Sequence, residues 1–292
     1  MYIYIYVKNT IYGVEICFFV LDVTLQPVVS LSETGQCRNS GVARLDSNFY
    51  LLCVFEIFHS SIRVYNAKFR LQNSTNITAF ENPRDIAACR RCRCLYVADG
   101  TGDVWRVNLT NNVRGFAPTK FNWKVNAFSL SVSPWGNLTI TELGNNRLTT
   151  YNPEFQSTSR VDLSKFNDSH TLHAAEISDG SWLICQRVRS VDGSTFGRVF
   201  EVDKQLNVLR ASKQSRAPVY LASDKDSGHV FVADATNNEV LVFDRELSHS
   251  SLLISGNSSL SRINFDSVSK MLIVLAPHRV DVYRVCDWVQ KC

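Results

Sequence analysis

No stretch of this sequence approaches the roughly 18 apolar residues that a membrane-spanning helix needs. The longest candidate, Ile16–Leu21 (ICFFVL), is closed in by Glu15 and Asp22, so no membrane span is expected. Helical periodicity of any length is missing too. Neither sign of charge dominates: the net charge is +4 and both signs are dispersed, too weak a balance to argue for nucleic acid. Neither a G-x-S-x-G nucleophile elbow nor a G-x-G-x-x-G phosphate loop occurs. A clean secretory signal is also lacking, since Met1–Leu25 carries only Lys8 as a basic residue and Glu15 interrupts its apolar part. The opening MYIYIYV alternates Tyr and Ile as a translated TA-dinucleotide repeat would. Residues 1–24 are therefore set apart as an uncertain segment, an expected gene-model artefact, and 25–292 are expected to fold. The missing signal is then weak grounds for a cytosolic protein.

What the chain does have is repetition. CLYVADGTGDVWRVN from Cys94 and HVFVADATNNEVLVFD from His229 are near copies, and their Val-Ala-Asp cores end at Asp99 and Asp234, 135 residues apart. That is three periods of about 45, within the range of propeller repeats. Six blocks share one pattern: Ser61–Asn66, Asp103–Asn108, Arg147–Asn152, Arg198–Asp203, Glu239–Asp244 and Arg279–Arg284. Position two is always aliphatic, position five is Val, Tyr or Phe, and position six is Asn or Asp in five blocks. Before each block stands a hydrophobic strand, such as LLCVFEI from Leu51 or MLIVLAP from Met271, and before that a short alternating one, such as GVARLD from Gly41. Alternation bounded by turn residues predicts antiparallel strands. Six four-stranded units of this period predict an all-β, six-bladed β-propeller. The last unit ends near Val285 after three strands, so Gln26–Ser32 is expected to supply the fourth and close the ring.

The order proline, short apolar strand, turn, Leu-Tyr-Val-Ala-Asp, turn, aliphatic strand resembles the NHL repeat family. It stands most clearly in Pro83–Asn108 and Pro218–Asp244. The resemblance runs from about Gly41 to Arg284 and fades where Leu143 or Arg187 replaces Ala-Asp. DIAACRRCRCLYVADG from Asp85 and LHAAEISDG from Leu172 look like a subset of NHL-like propellers from invertebrates. The resemblance implies a rigid scaffold that binds protein or RNA on one face; a minority of the family are lyases or hydrolases, and fold alone does not choose.

Nine cysteines are many for this length. Cys89, Cys92 and Cys94 share one turn, where a hairpin can bring Cys89 beside Cys94 as a disulfide. Free thiols remain open, as does a zinc site on the C-x-x-C pair, although no second ligand pair follows at zinc-site spacing. Cys286 is expected to pair with Cys292, or with Cys17 or Cys37 near the closure. Cys53 and Cys185 read as buried core residues. Six sequons, at Asn73, Asn76, Asn108, Asn137, Asn167 and Asn257, fall at strand ends or polar connections. With the cysteines they favour a secreted, disulfide-bonded glycoprotein.

His170 and His173 open the fourth unit. Amidating lyases of this fold hold zinc through histidines at the inner ends of several blades. Here Val42, Asp85, Val219 and Arg262 stand near the corresponding places, so His173 is expected to be a structural hydrogen bonder and no metal or other cofactor is expected. Asp99 and Asp234 read as caps of the turns after their strands. Arg147, Arg198 and Arg279 open third strands, and Arg84, Arg216 and Arg262 lie before or at first strands. Together with His173 they would form a basic loop face of the kind RNA-binding NHL propellers use, but Asp103 and Glu239 occupy equivalent positions and dilute it, and the favoured reading is that the arginines pair with carboxylates of neighbouring blades. Stacking aromatics for RNA are few: Trp123 and Trp135 qualify, whereas Trp105 and Trp182 read as packing.

The expected function is a non-catalytic binding module, extracellular or part of an ectodomain, engaging a protein or glycan through that loop face. The alternative is an intracellular TRIM-type NHL module that binds RNA or ubiquitination substrates. Third stands a metal-dependent lyase or hydrolase.

Overall fold

The computed structural model describes residues 23–32, 37–55, 59–109, 116–121, 125–142, 144–166, 169–177, 181–189, 192, 195–212, 218–248, 250–255 and 260–287. Among them there are strands and turns only, and no helix is long and apolar enough to cross a membrane. The chain opens with β1 (Val23–Ser32). Blade one is β2 (Cys37–Leu45), β3 (Asn48–Phe55), β4 (His59–Tyr65) and β5 (Leu71–Asn76). Blade two is β6 (Pro83–Cys89), β7 (Cys94–Asp99), β8 (Val104–Asn108) and β9 (Pro118–Phe121), and blade three is β10 (Ala127–Val132), β11 (Leu138–Glu142), β12 (Arg147–Tyr151) and β13 (Ser157–Asp162). Blade four is β14 (Ser169–Glu176), β15 (Trp182–Arg189), β16 (Thr195–Val202) and β17 (Val208–Ala211), and blade five is β18 (Pro218–Ser223), β19 (Val230–Asp234), β20 (Glu239–Phe243) and β21 (Ser250–Ser255). Blade six is β22 (Arg262–Asp266), β23 (Met271–Ala276) and β24 (Arg279–Asp287), with β1 as its outer strand. Each blade is an antiparallel sheet of four, so the expected six-bladed propeller and its closure by the N-terminal strand are both present.

The blade pattern follows from packing on both sheet faces. Six apolar clusters fill the six gaps between neighbouring blades. A second strand is covered on both sides: in β7, Leu95 and Val97 face blade one while Cys94, Tyr96 and Ala98 face blade three, and every residue of the strand is buried. Such a strand reads as a continuous apolar run. In the third strands, positions two and five point to opposite faces, because side chains alternate. Ile62, Val104, Leu148, Val199, Val240 and Val280 pack on the following blade, and Tyr65, Val107, Tyr151, Val202 and Phe243 on the preceding one.

Position six has a separate task. Asn66 Oδ1 accepts from the amides of Lys68 and Arg70, and Asn152 Oδ1 from that of Gln156. Asp203 Oδ1 accepts from Gln205 and Asn207, and Asp244 Oδ1 from Ser248. Each cap closes a turn in which a bulky residue takes a positive φ: Phe69 (56°), Phe155 (65°), Leu206 (64°) and Leu247 (56°). That backbone is strained for such residues, and all four side chains contribute to the gaps between blades.

Candidate functional site

Five of the inner strands carry a register break at one place: Asn39/Gly41, Pro83/Asp85, Ala127/Ser129, Thr171/His173 and Pro218/Tyr220. The residue after each break pairs with an equivalent residue of the second strand, and Arg262 opposite Leu275 completes the set. Six equivalent positions thus converge on the propeller axis: Gly41, Asp85, Ser129, His173, Tyr220 and Arg262. The sequence-based comparison placed Val42 and Val219 at His173's level. The β-bulge inserts one residue, so Gly41 and Tyr220 stand there instead.

These side chains form one network. Asp85 Oδ2 accepts from the amide of Leu130 (2.8 Å) and from the Tyr220 hydroxyl (3.0 Å), and Asp85 Oδ1 from the amide of Ile86 (3.0 Å). Arg262 Nε lies 3.5 Å from Asp85 Oδ1, and its guanidinium sits over the Tyr220 ring. The His173 ring stacks on Tyr220 with centroids 3.6 Å apart, and Nδ1 lies 3.1 Å from Ser129 Oγ, which donates to Leu172 O. Asp85, Ser129 and His173 are at most 2% exposed. Burial raises the Asp85 pKa, with Arg262 opposing it. Burial lowers that of His173 well below the ordinary value, and Arg262 adds to the shift. His173 is thus the structural hydrogen bonder expected, held as neutral imidazole. Blade one contributes only Gly41, where a Cβ would stand 2.9 Å from the backbone nitrogen of Ile86.

Above this network lies a cup of about 460 Å³ with His173 and Tyr220 in its floor. It opens at the mouth where the inner strands end and the first hairpins turn. Its wall draws on all six blades, including Arg44, Arg91, Ser133, Glu176, Ser223 and Phe265. Trp135 and Val268 stand exposed beside it at 42% and 72%.

The predicted basic face lies at the opposite mouth, and its arginines are largely engaged. Arg147 is 3.8 Å from Glu142. Arg198 donates from Nε and Nη2 to Gln186 Oε1 (3.1 and 2.9 Å) and covers the Phe200 ring. It does not open its strand, because β15 and β16 overrun that level by three residues and β14 by two. Arg262 belongs to the axial network, and Arg279 donates to Asp281 (2.8 Å) and Ser30 (3.1 Å) across the closure. Arg84 is half-buried beside the axis, its carbonyl accepting from Arg262 Nη2. Arg216 lies outside the described residues. His170 is exposed and shares nothing with His173. Asp234 caps the following turn, as expected, by accepting from Thr236 and Asn237. Asp99 instead accepts from the amides of Glu81 and Asn82, where the chain enters its own blade.

The cysteines correct one expectation. Cys89 is bonded to Cys92, with Cα atoms 5.2 Å apart, and not to Cys94. The turn folds back at Arg93, whose φ is 48°, bringing Cys92 over Cys89, while the buried Cys94 thiol interacts with Tyr96 and Arg106 and remains free. The three sulfurs lie within 4.8 Å of one another, but two are consumed by the bond. Cys53 and Cys185 are fully buried, as expected; Cys53 is disulfide-bonded, as is Cys286, whereas Cys185 is a free thiol. Cys17 and Cys292 lie outside the described residues. Of the sequons, Asn76 and Asn108 are exposed and Asn73 is half-buried. Asn137 Nδ2, the atom a glycan would need, donates to Glu176 (3.1 Å). Asn167, Asn257 and Trp123 are outside the described residues.

The chain superposes on the WD40 β-propeller domain of Doa1 with a TM-score of 0.61 and 11% identity, covering 89% of this chain and 97% of that one. It matches the streptogramin B lyase structure with a TM-score of 0.59 and 9% identity, covering 90% and 98%. The likeness is one of fold. No family model matches the sequence, and no curated protein matches it.

Proposed function

We propose that this chain is a non-catalytic binding scaffold of the NHL type, working outside the cell, with a protein or glycan partner seated in the cup. The cup itself carries the proposal. It is a rigid concavity built from all six blades, and its size is that of a ligand site. Its floor is built of axial side chains that bond mainly to one another. A lyase on this floor would need a free acid or base, and the axial carboxylate, Asp85, is spent on two amides, a hydroxyl and an arginine. RNA binding would need the arginines of the opposite mouth, most of which are held by partners in the propeller.

The disulfide-bonded Cys53, Cys89, Cys92 and Cys286 and the exposed sequons at Asn76 and Asn108 support the extracellular setting. Intact mass of protein made through a secretory route, before and after deglycosylation and reduction, tests it. Glycan loss and about two mass units gained per reduced bridge are expected. An unglycosylated chain with every thiol free overturns it. The cup is tested with the secreted chain as bait beside Ser223→Trp, which fills the wall. A named surface partner bound by the parent and lost by the variant supports the site, and equal binding by both removes it.

A further inference from the structure

We propose that the cup recognises an acidic peptide segment of a partner protein; this rests on the cup being the binding site. Six basic residues line it: Arg44, Arg90, Arg91, Arg210, Lys225 and Arg245. Three are paired: Arg44 with Asp266, Arg90 with Asp46 at 3.6 Å, and Arg210 with Glu201. Of the lining acids, Asp266 is taken by Arg44 and Asp224 by Lys270 (2.8 Å). Among the described residues, Arg91, Lys225 and Arg245 therefore stand without an acidic partner against one uncompensated carboxylate, Glu176, which accepts from the neutral amide of Asn137. The excess is positive, and it faces a concave wall where field lines concentrate.

Two of these cations are held in place before any ligand arrives. The Arg91 stem lies across Gly136, where a Cβ would stand 3.3 Å from Arg91 Cβ, and Arg91 Nη1 donates to Trp135 O (3.2 Å). The Arg245 stem lies across Gly228, where a Cβ would stand 2.9 Å from Arg245 Cγ. Both glycines have positive φ, 91° and 79°. Ordering these side chains beforehand lowers the entropy lost on binding. Between the cations, the partly exposed Val132, Ala222 and Phe265 line the cup, with Val268 exposed at its lip.

This combination favours peptide over glycan or nucleic acid. A sugar brings many hydroxyls, and two of the four serines along the wall are already engaged: Ser131 Oγ donates to Ala174 O and Ser133 Oγ accepts from Asn137 N. A nucleic acid strand wants a cationic track with several stacking rings, whereas the exposed ring at this lip is Trp135. An acidic side chain flanked by apolar ones uses both the arginines and the apolar wall.

The test is fluorescence anisotropy with labelled peptides in one Leu-containing frame, carrying Glu, Ser or Lys between the leucines, alongside a sulfated oligosaccharide and an RNA oligonucleotide. The Glu peptide is expected to bind about tenfold tighter than the Ser peptide and to weaken as salt rises. Arg91→Glu with Arg245→Glu reverses that preference, Glu176→Gln tightens the Glu peptide, and Arg279→Glu at the far mouth leaves it unchanged. Equal binding of Glu and Ser peptides, both lost in Ser223→Trp, overturns the acidic preference and leaves the cup as the site. Binding that Ser223→Trp does not touch removes the cup itself. Tighter binding of the oligosaccharide or the RNA overturns the peptide in favour of that class.

Discussion

Asp85 ties four blades together: its own, that of Leu130, that of Tyr220 and that of Arg262. Asp85→Ala leaves two amides, a hydroxyl and a guanidinium without their acceptor at a buried axis. The expected loss is about 3–5 kcal/mol, read from urea unfolding. Asp85→Asn keeps the shape and should lose less. His173 carries a pH signature. A base whose folded pKa is depressed binds fewer protons folded than unfolded, so stability falls as pH drops below the ordinary value of 6.5. The slope is at most about 1.4 kcal/mol per pH unit. Asp85, whose pKa is raised, runs the other way, since it binds more protons folded and favours the fold as pH falls towards the carboxylate range. The parent is therefore compared with His173→Gln. The variant should be the less stable near neutrality and show the shallower loss of its urea midpoint between about pH 7 and pH 5. Parallel curves would mean that the imidazole titrates like an exposed one.

The third strand with its cap was the most legible element, because each position of the block has a structural cause: two faces to bury and one turn to close. Asp203 shows the size of that cause. It accepts from two amides and from the Asn207 side chain (2.8 Å), so Asp203→Ala should cost about 1–2 kcal/mol, measured by thermal or urea unfolding. The axial network was not legible by residue type, since Gly, Asp, Ser, His, Tyr and Arg share no chemistry. A signal did exist in the spacing: Gly41, Asp85, Ser129 and His173 follow one another at 44 residues each. It was obscured because the bulge shifts pairing by one residue, and pattern alone pointed to Val42 and Val219. The cup was less visible still. Its cations come from hairpins and outer turns of different blades, and only the closed ring brings Arg91 and Arg245 to one mouth. The arginines that did recur in sequence are mostly those that the blades use to pair internally.

At the scale of the whole ring, stability depends on a contact between the two ends of the described chain. β1 runs antiparallel to β24 from Val23 opposite Asp287 to Ser32 opposite Arg279. Its Val29 and Leu31 pack into the gap between blades six and one, and Val23 and Leu25 into that between five and six. Removing residues 1–32 uncovers the edge of β24 and strips four partly buried apolar side chains from two gaps. At about 1 kcal/mol for each half-buried side chain, the packing loss alone is on the order of 4 kcal/mol. That is comparable with the whole stability of a typical domain. The bared β24 is also an open edge able to pair with another chain. The truncated protein should therefore melt well below the parent and elute as aggregates in size-exclusion chromatography. If the chain lacking residues 1–32 stayed monomeric with the parental melting temperature, blade six would be stable as a three-stranded sheet and the strand pairing would contribute little to the ring.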